Sequence, residues 1–82
     1  MKWIKSKDQK PAHLERVLII LLDQDDNNFG GYTDDGRWND DIKLWQLDSF
    51  PDMNESHAFT ILYGESLYWI YLKDIPLPNI NN

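Results

Sequence analysis

Cysteine is absent from these 82 residues, so disulfide staples and thiolate metal sites are both excluded. Histidine is scarce, with two residues, and eight lysines and arginines face fourteen aspartates and glutamates. Long hydrophobic runs are missing too. The longest, "VLIILL" at 17–22, is too short for a signal core or a membrane span. The basic start "MKWIKSKDQK" is not followed at once by an apolar stretch. No low-complexity segment or internal repeat occurs. These absences lead to the expectation of a soluble, cytoplasmic chain with no membrane contact.

What the chain does have is aromatic bulk. Four Trp, four Tyr and three Phe can each bury roughly 150–250 Å². They matter because a chain this short hides only about 60–65% of the surface that its unfolded form exposes. One small domain, residues 1–82, is expected, with an extended arm at 1–11 and an extended Pro-containing tail at 73–82. A hydrophobic fraction of 41% suits an ordinary globular domain rather than a disordered one.

Charge is unevenly placed. Residues 1–22 carry +3, residues 23–52 carry −7 and residues 53–82 carry −2, within a formal total of −6. Binding to DNA or RNA depends on Lys and Arg displacing condensed counterions. A field of this sign opposes it, and direct nucleic-acid binding is excluded as the expectation.

The strongest element is "ERVLIILLD" at 15–23, β-branched and apolar on both faces as a central strand would be. A helix over 12–22 following Pro11 is its competitor, which would make the fold α+β. Strand is the preferred reading for 16–22, because a turn-like aspartate cluster follows. "NFGGYT" (28–33) reads as a strand or bulge, "DDG" (34–36) as a tight turn, and "IKLWQL" (42–47) as an edge strand. "DSFPDMNES" reads as a loop. "HAFTILY" (57–63) and "LYWIYL" (67–72) read as a hairpin joined by "GES". The sum is an all-β, or β-dominated, antiparallel meander curled toward a small SH3-like barrel.

Three blocks, "KWIKSKDQKP…ERVLIILL", "FGGYTDDGRW" and "YWI…IPLPN", resemble a small phage and prophage family, domain of unknown function 551. The likeness rests on Trp3, Ile4, Asp8, Pro11, Val17, Leu18, Gly31, Tyr32, Trp38, Trp69, Pro76, Leu77 and Pro78. Tyr68 stands where that family's closing His would fall, and residues 42–66 look like an insertion. The resemblance implies phage or prophage origin and a small β-rich fold. It implies no activity, cofactor or catalytic residue.

The stretch 21–41 holds seven aspartates. Asp23, Asp25, Asn27 and Asp34 partly meet the spacing of a calcium loop, but Asn28 replaces the glycine of its sharp turn and Asp34 its bidentate Glu. Turn chemistry is the simpler reading. No metal or other cofactor is expected, and calcium is kept as the alternative. As a charge cluster, Asp25, Asp26, Asp34, Asp35, Asp40 and Asp41 are expected in neighbouring turns on one rim. There they would steer the chain onto a basic protein surface, with Trp38 or Trp45 as a buried anchor. The same aspartates would also serve solubility alone, and the aromatics would also serve as core. His13 and His57 pair with no legible nucleophile: Ser56 is only a sequence neighbour of His57. The expectation is a non-enzymatic accessory protein acting by protein contact, with an acidic inhibitor or nucleic-acid mimic as its form. The alternatives are a homodimer or larger assembly built through the aromatic strands, and the calcium module.

Overall fold

The computed structural model describes residues 2–22 and 31–75. Five strands form one sheet: β1 (Ile4–Lys5), β2 (Arg16–Leu21), β3 (Tyr32–Asn39), β4 (Leu44–Leu47) and β5 (Tyr68–Tyr71). One helix, α1 (Met53–Tyr63), lies between β4 and β5, and a 3₁₀ turn follows at Leu72–Asp74. The strand order is β1-β5-β2-β3-β4, with every neighbouring pair antiparallel. The fold is therefore β-dominated. The segment β2–β3–β4 runs as a meander, and β5 returns to the free side of β2.

Strand β2 owes its two-sided hydrophobicity to this central place. Val17 pairs with Gly36 on one side and Tyr71 on the other, and Ile19 with Asp34 and Trp69. Both side chains are fully buried on the face that also carries Trp38, Trp45, Leu47 and Trp69. Ile20 and Ile70 are buried on the opposite face. The competing helix over 12–22 does not form, because β2 gains a ladder on each side.

Two sequence expectations are corrected. "DDG" at 34–36 lies in the middle of β3, and the chain turns back instead at Asp40–Lys43. There the side chain of Asn39 accepts from the Asp41 and Ile42 N–H groups, and Lys43 takes a left-handed φ of 58°. Gly36 serves packing: a β-carbon there would meet Gln46 O at 2.7 Å and Ile19 Cδ1 at 3.0 Å.

The second correction is residues 57–63, read as a strand and found in α1. Asp52 is the N-cap, its carboxylate accepting from Asn54 N–H at 2.7 Å, and Glu55 follows in the first turn. This D-x-x-E start is a helix signal. Apolar residues on both sides of 57–63 hide the helical period, which is why the strand reading was open. Tertiary structure adds a reason of its own. The edge strand β4 turns Trp45 N–H outward, and Thr60 Oγ1 accepts it at 2.9 Å while donating to Ser56 O. The helix thereby caps an edge donor that would otherwise invite another chain. Phe59 packs its inner side against Tyr32 and Phe50, at ring separations of 6.0 and 6.4 Å.

In the arm, Ile4 packs on the core and Trp3 is exposed. Ser6 is buried, donating its hydroxyl to Gly64 O at 2.6 Å and its N–H to Leu67 O. Residues 76–82, which include the Pro-Leu-Pro block, lie outside the described residues.

Candidate functional site: the acidic strand, its turn and the helix face

Asp34 and Asp35 are neighbours on β3, so their side chains leave opposite faces of the sheet. Asp34 is half-buried and engaged with its own fold. It accepts the Tyr32 hydroxyl at 2.5 Å and Ser49 N–H at 3.0 Å on Oδ2, and Asp35 N–H at 2.8 Å on Oδ1. Burial pushes its carboxyl up, but these donors outweigh burial and leave it below the usual aspartate value of 3.8. Burial, helped by the hydrogen bond to Asp34, pushes Tyr32 up to about 12.

The signs give a pH test. Asp34 contributes its full stability above pH 3.8 and loses it as pH falls through the lower folded value. Tyr32 contributes fully below pH 10 and loses that contribution as pH rises toward 12. Asp34→Asn is expected to cost about 1–3 kcal/mol near neutrality, because the Tyr32 and Ser49 donors lose a charged acceptor. In urea melts the gap to wild type should close below pH 3.8. A gap of constant size down to pH 2 would remove this role.

Asp35 faces Arg16 at 3.6 Å, and Arg16 is shared with Asp48 at 2.7 Å. Asp40 and Asp41 lie in the β3–β4 turn, at the opposite end of β3 from Tyr32. The eight residues of that strand span roughly 25 Å at the usual rise. Asp40 Oδ1 accepts both Trp38 Nε1 at 3.0 Å and Lys43 Nζ at 2.9 Å, and these two donors hold its carboxyl below the usual range. His13 brackets the turn, with Nδ1 accepting Asp40 N–H at 3.0 Å and Nε2 lying 3.6 Å from Asp41.

The expected single rim of aspartates is therefore not what the described residues form. Asp34 is turned into the fold, Asp35 sits on the other face, and Asp40 and Asp41 occupy a distant turn. Asp23, Asp25, Asp26 and Asn27 lie outside the described residues. Of the calcium alternative only Asp34 is described, and its carboxylate oxygens are already engaged. Among the described residues no three His, Asp or Glu side chains gather as a metal site.

Trp38 and Trp45 are corrected as well. They are 5% and 0% exposed and pack edge-to-face at 5.3 Å, directly opposite each other across β3 and β4. That surface is spent on the core and is not free to anchor a partner. Trp45 Nε1 is buried without a hydrogen-bond partner. Beside the pair lies a cleft of about 400 Å³, lined by Lys10, Asp40, Lys43, Thr60, Gly64 and Glu65 as well as the two tryptophans. Its charged groups are largely matched with one another. Lys43 bonds Asp40, while Lys10 lies 3.5 Å from Glu65 and 5.4 Å from the Trp38 ring centre.

Sequence reasoning missed the outer side of α1. Ile61 and Leu62 are 69% and 67% exposed, with Met53 and Tyr63 also open to solvent. The helix start at Asp52–Glu55 was the signal that would have found it. No lysine or arginine occurs between Lys43 and Lys73, a stretch that holds Asp48, Asp52, Glu55 and Glu65. Ser56 is buried and its hydroxyl donates to Phe50 O, so it does not pair with His57, which is exposed on the helix. No helix among the described residues is long and apolar enough to cross a membrane.

No protein-family model, curated protein or solved structure matches the chain. What the coordinates define is a class of fold, a single antiparallel sheet with one helix across its β4 edge.

Proposed function

We propose that this chain is a non-enzymatic accessory protein of phage or prophage type, acting in the bacterial cytoplasm by contact with a basic protein surface. The observation that carries the reading is the stretch from residue 44 to 72, which has no lysine or arginine of its own and places Asp52 and Glu55, exposed and without a cation partner among the described residues, at the start of the helix. Other acids are matched by cations: Asp40 has Lys43, Asp48 has Arg16 at 2.7 Å, Glu65 has Lys10 at 3.5 Å, and Glu15 has Lys73 at 2.7 Å. A one-signed surface accelerates encounter with an oppositely charged partner and makes it salt-dependent.

The residues behind the family resemblance support the reading of a small β-rich fold only. Ile4, Val17, Trp38 and Trp69 are core or core-packed, and Pro11 is buried. They describe a scaffold and assign no chemistry. Assembly through the aromatic strands has less support, since Trp38, Trp45 and Trp69 are buried within one chain. A role as an inhibitor of a basic host protein fits the acidic surface.

The test is capture from bacterial lysate on immobilised protein at about 50 and 500 mM salt, which shortens the screening length roughly threefold. Basic proteins retained at low salt and released at high salt are expected, with weaker retention by Asp52→Asn/Glu55→Gln. Retention indifferent to both salt and these substitutions would rule the reading out.

A further inference from the structure

We infer that the outer face of α1 is a docking ridge for a protein presenting an apolar groove bordered by lysine or arginine. The inference rests on the proposed contact with basic partners and assigns the surface that makes it. Ala58, Ile61 and Leu62 recur at i, i+3 and i+4, so they share one side of the helix. Ser56 and Phe59, on the other side, face the sheet and the aromatic cluster. The fold uses only that inner side. Ile61 and Leu62 are the most exposed large apolar side chains described. Solitary exposed leucines are commonplace, but a contiguous apolar patch with a polar border marks association. The spacing is that of a helix laid into a groove.

Charge selects the occupant. Exposed Asp52 and Glu55 border this face, with Glu65 beyond the helix end and 3.5 Å from Lys10, and the helix itself carries no lysine or arginine, only His57 as a titratable base. A second copy of the chain would set two acidic borders against each other, and like-charge juxtaposition disfavours that pairing. An anionic lipid surface is opposed for the same reason. A groove edged by ammonium or guanidinium groups satisfies both parts of the face, with apolar contact in the middle and ion pairs at the rim.

A photo-reactive benzoylphenylalanine placed at Leu62 and irradiated in bacterial lysate identifies what meets this face. The purified cross-linked protein is then titrated against wild type, Ile61→Ser/Leu62→Ser, Glu55→Gln/Glu65→Gln and Asp40→Asn/Asp41→Asn. A cross-link in an apolar groove edged by Lys or Arg is expected. Affinity should fall roughly tenfold or more in the serine pair, as burial of two aliphatic side chains implies. The Glu→Gln pair should flatten the salt dependence, and the Asp→Asn pair should bind as wild type. The unfolding midpoints of the serine and Glu→Gln pairs should stay near wild type, since those side chains are exposed. Full affinity in the serine pair, with binding still weakened by salt and by Asp40→Asn/Asp41→Asn, would overturn the assignment to α1 while leaving the basic-partner reading standing. Salt-insensitive binding in every variant would remove both. Cross-links only to a second copy or to the chain's own residues 76–82, or no cross-link at all, would also overturn the assignment.

Discussion

Trp69→Ala is expected to destabilise the fold by about 3–5 kcal/mol, the range for emptying a buried aromatic site. For a domain of this length, total stability is roughly 4–12 kcal/mol, so a large share of the molecule would unfold at moderate temperature. The side chain is fully buried on β5, between Ile4 of β1 and Ile19 of β2. Its ring meets Tyr71 edge-on at 4.9 Å, and Nε1 donates to Gln9 O at 2.8 Å. Removing it therefore opens the core and releases the arm that leads into β2. Urea unfolding followed by circular dichroism measures the loss. Phenylalanine substitutions separate packing from hydrogen bonding. Trp69→Phe leaves Gln9 O without its donor, whereas Trp45→Phe removes an Nε1 that has no partner. The Trp69 variant should be the worse of the two by about 1 kcal/mol. Equal losses would mean that the arm contact adds nothing.

Gly36→Ala is expected to cost about 3 kcal/mol, at the upper end of ordinary overpacking. Replacing a mid-strand glycine usually helps by roughly 0.5–1 kcal/mol, because the unfolded chain loses freedom. Sterics decide otherwise here. The new β-carbon would lie 2.7 Å from Gln46 O and 2.9 Å from Leu47 Cδ2. The first of these is backbone of the neighbouring strand, in a residue paired with Arg37, so it cannot turn aside as a side-chain tip could. Equilibrium denaturation decides the sign, and a neutral or stabilising result would mean that β3 and β4 separate easily.

Much of the β scaffold was legible. "RVLIIL" reads as a central strand because β-branched residues occur without polar alternation, and β2 does lie between two strands. "LYWIYL" and the edge position of "LWQL" follow from similar patterns. Residues 57–63 were not legible as a helix. Ala58, Ile61 and Leu62 lie outside while Phe59 packs inward, so hydrophobicity surrounds the helix and no period shows. "DDG" misled for a related reason: Asp-Gly favours a turn locally, but Gly36 is needed where strands approach closely.

The candidate site was less legible than the scaffold. The aspartates of 34–41 were visible as a run of charge, yet their destinations depend on groups remote in sequence. Asp34 is claimed by Ser49, Asp35 faces Arg16, and the Asp40–Asp41 turn is bracketed by His13. Trp38 and Trp45 were visible as large aromatics, but only their pairing across β3 and β4 shows that they are core.

Composition and pattern alone determined a cysteine-free, acidic, β-dominated domain with an aromatic core and a central strand at 16–22, found at 16–21, because strand propensity and charge are local properties of the chain. Tertiary structure decided that 53–63 coils over the β4 edge, that Asp34, Asp35 and the Asp40–Asp41 pair part to separate places, and that Ile61 and Leu62 remain in solvent. Each of those outcomes depends on which groups long-range pairing brings together, and no short window of sequence contains both members of such a pair.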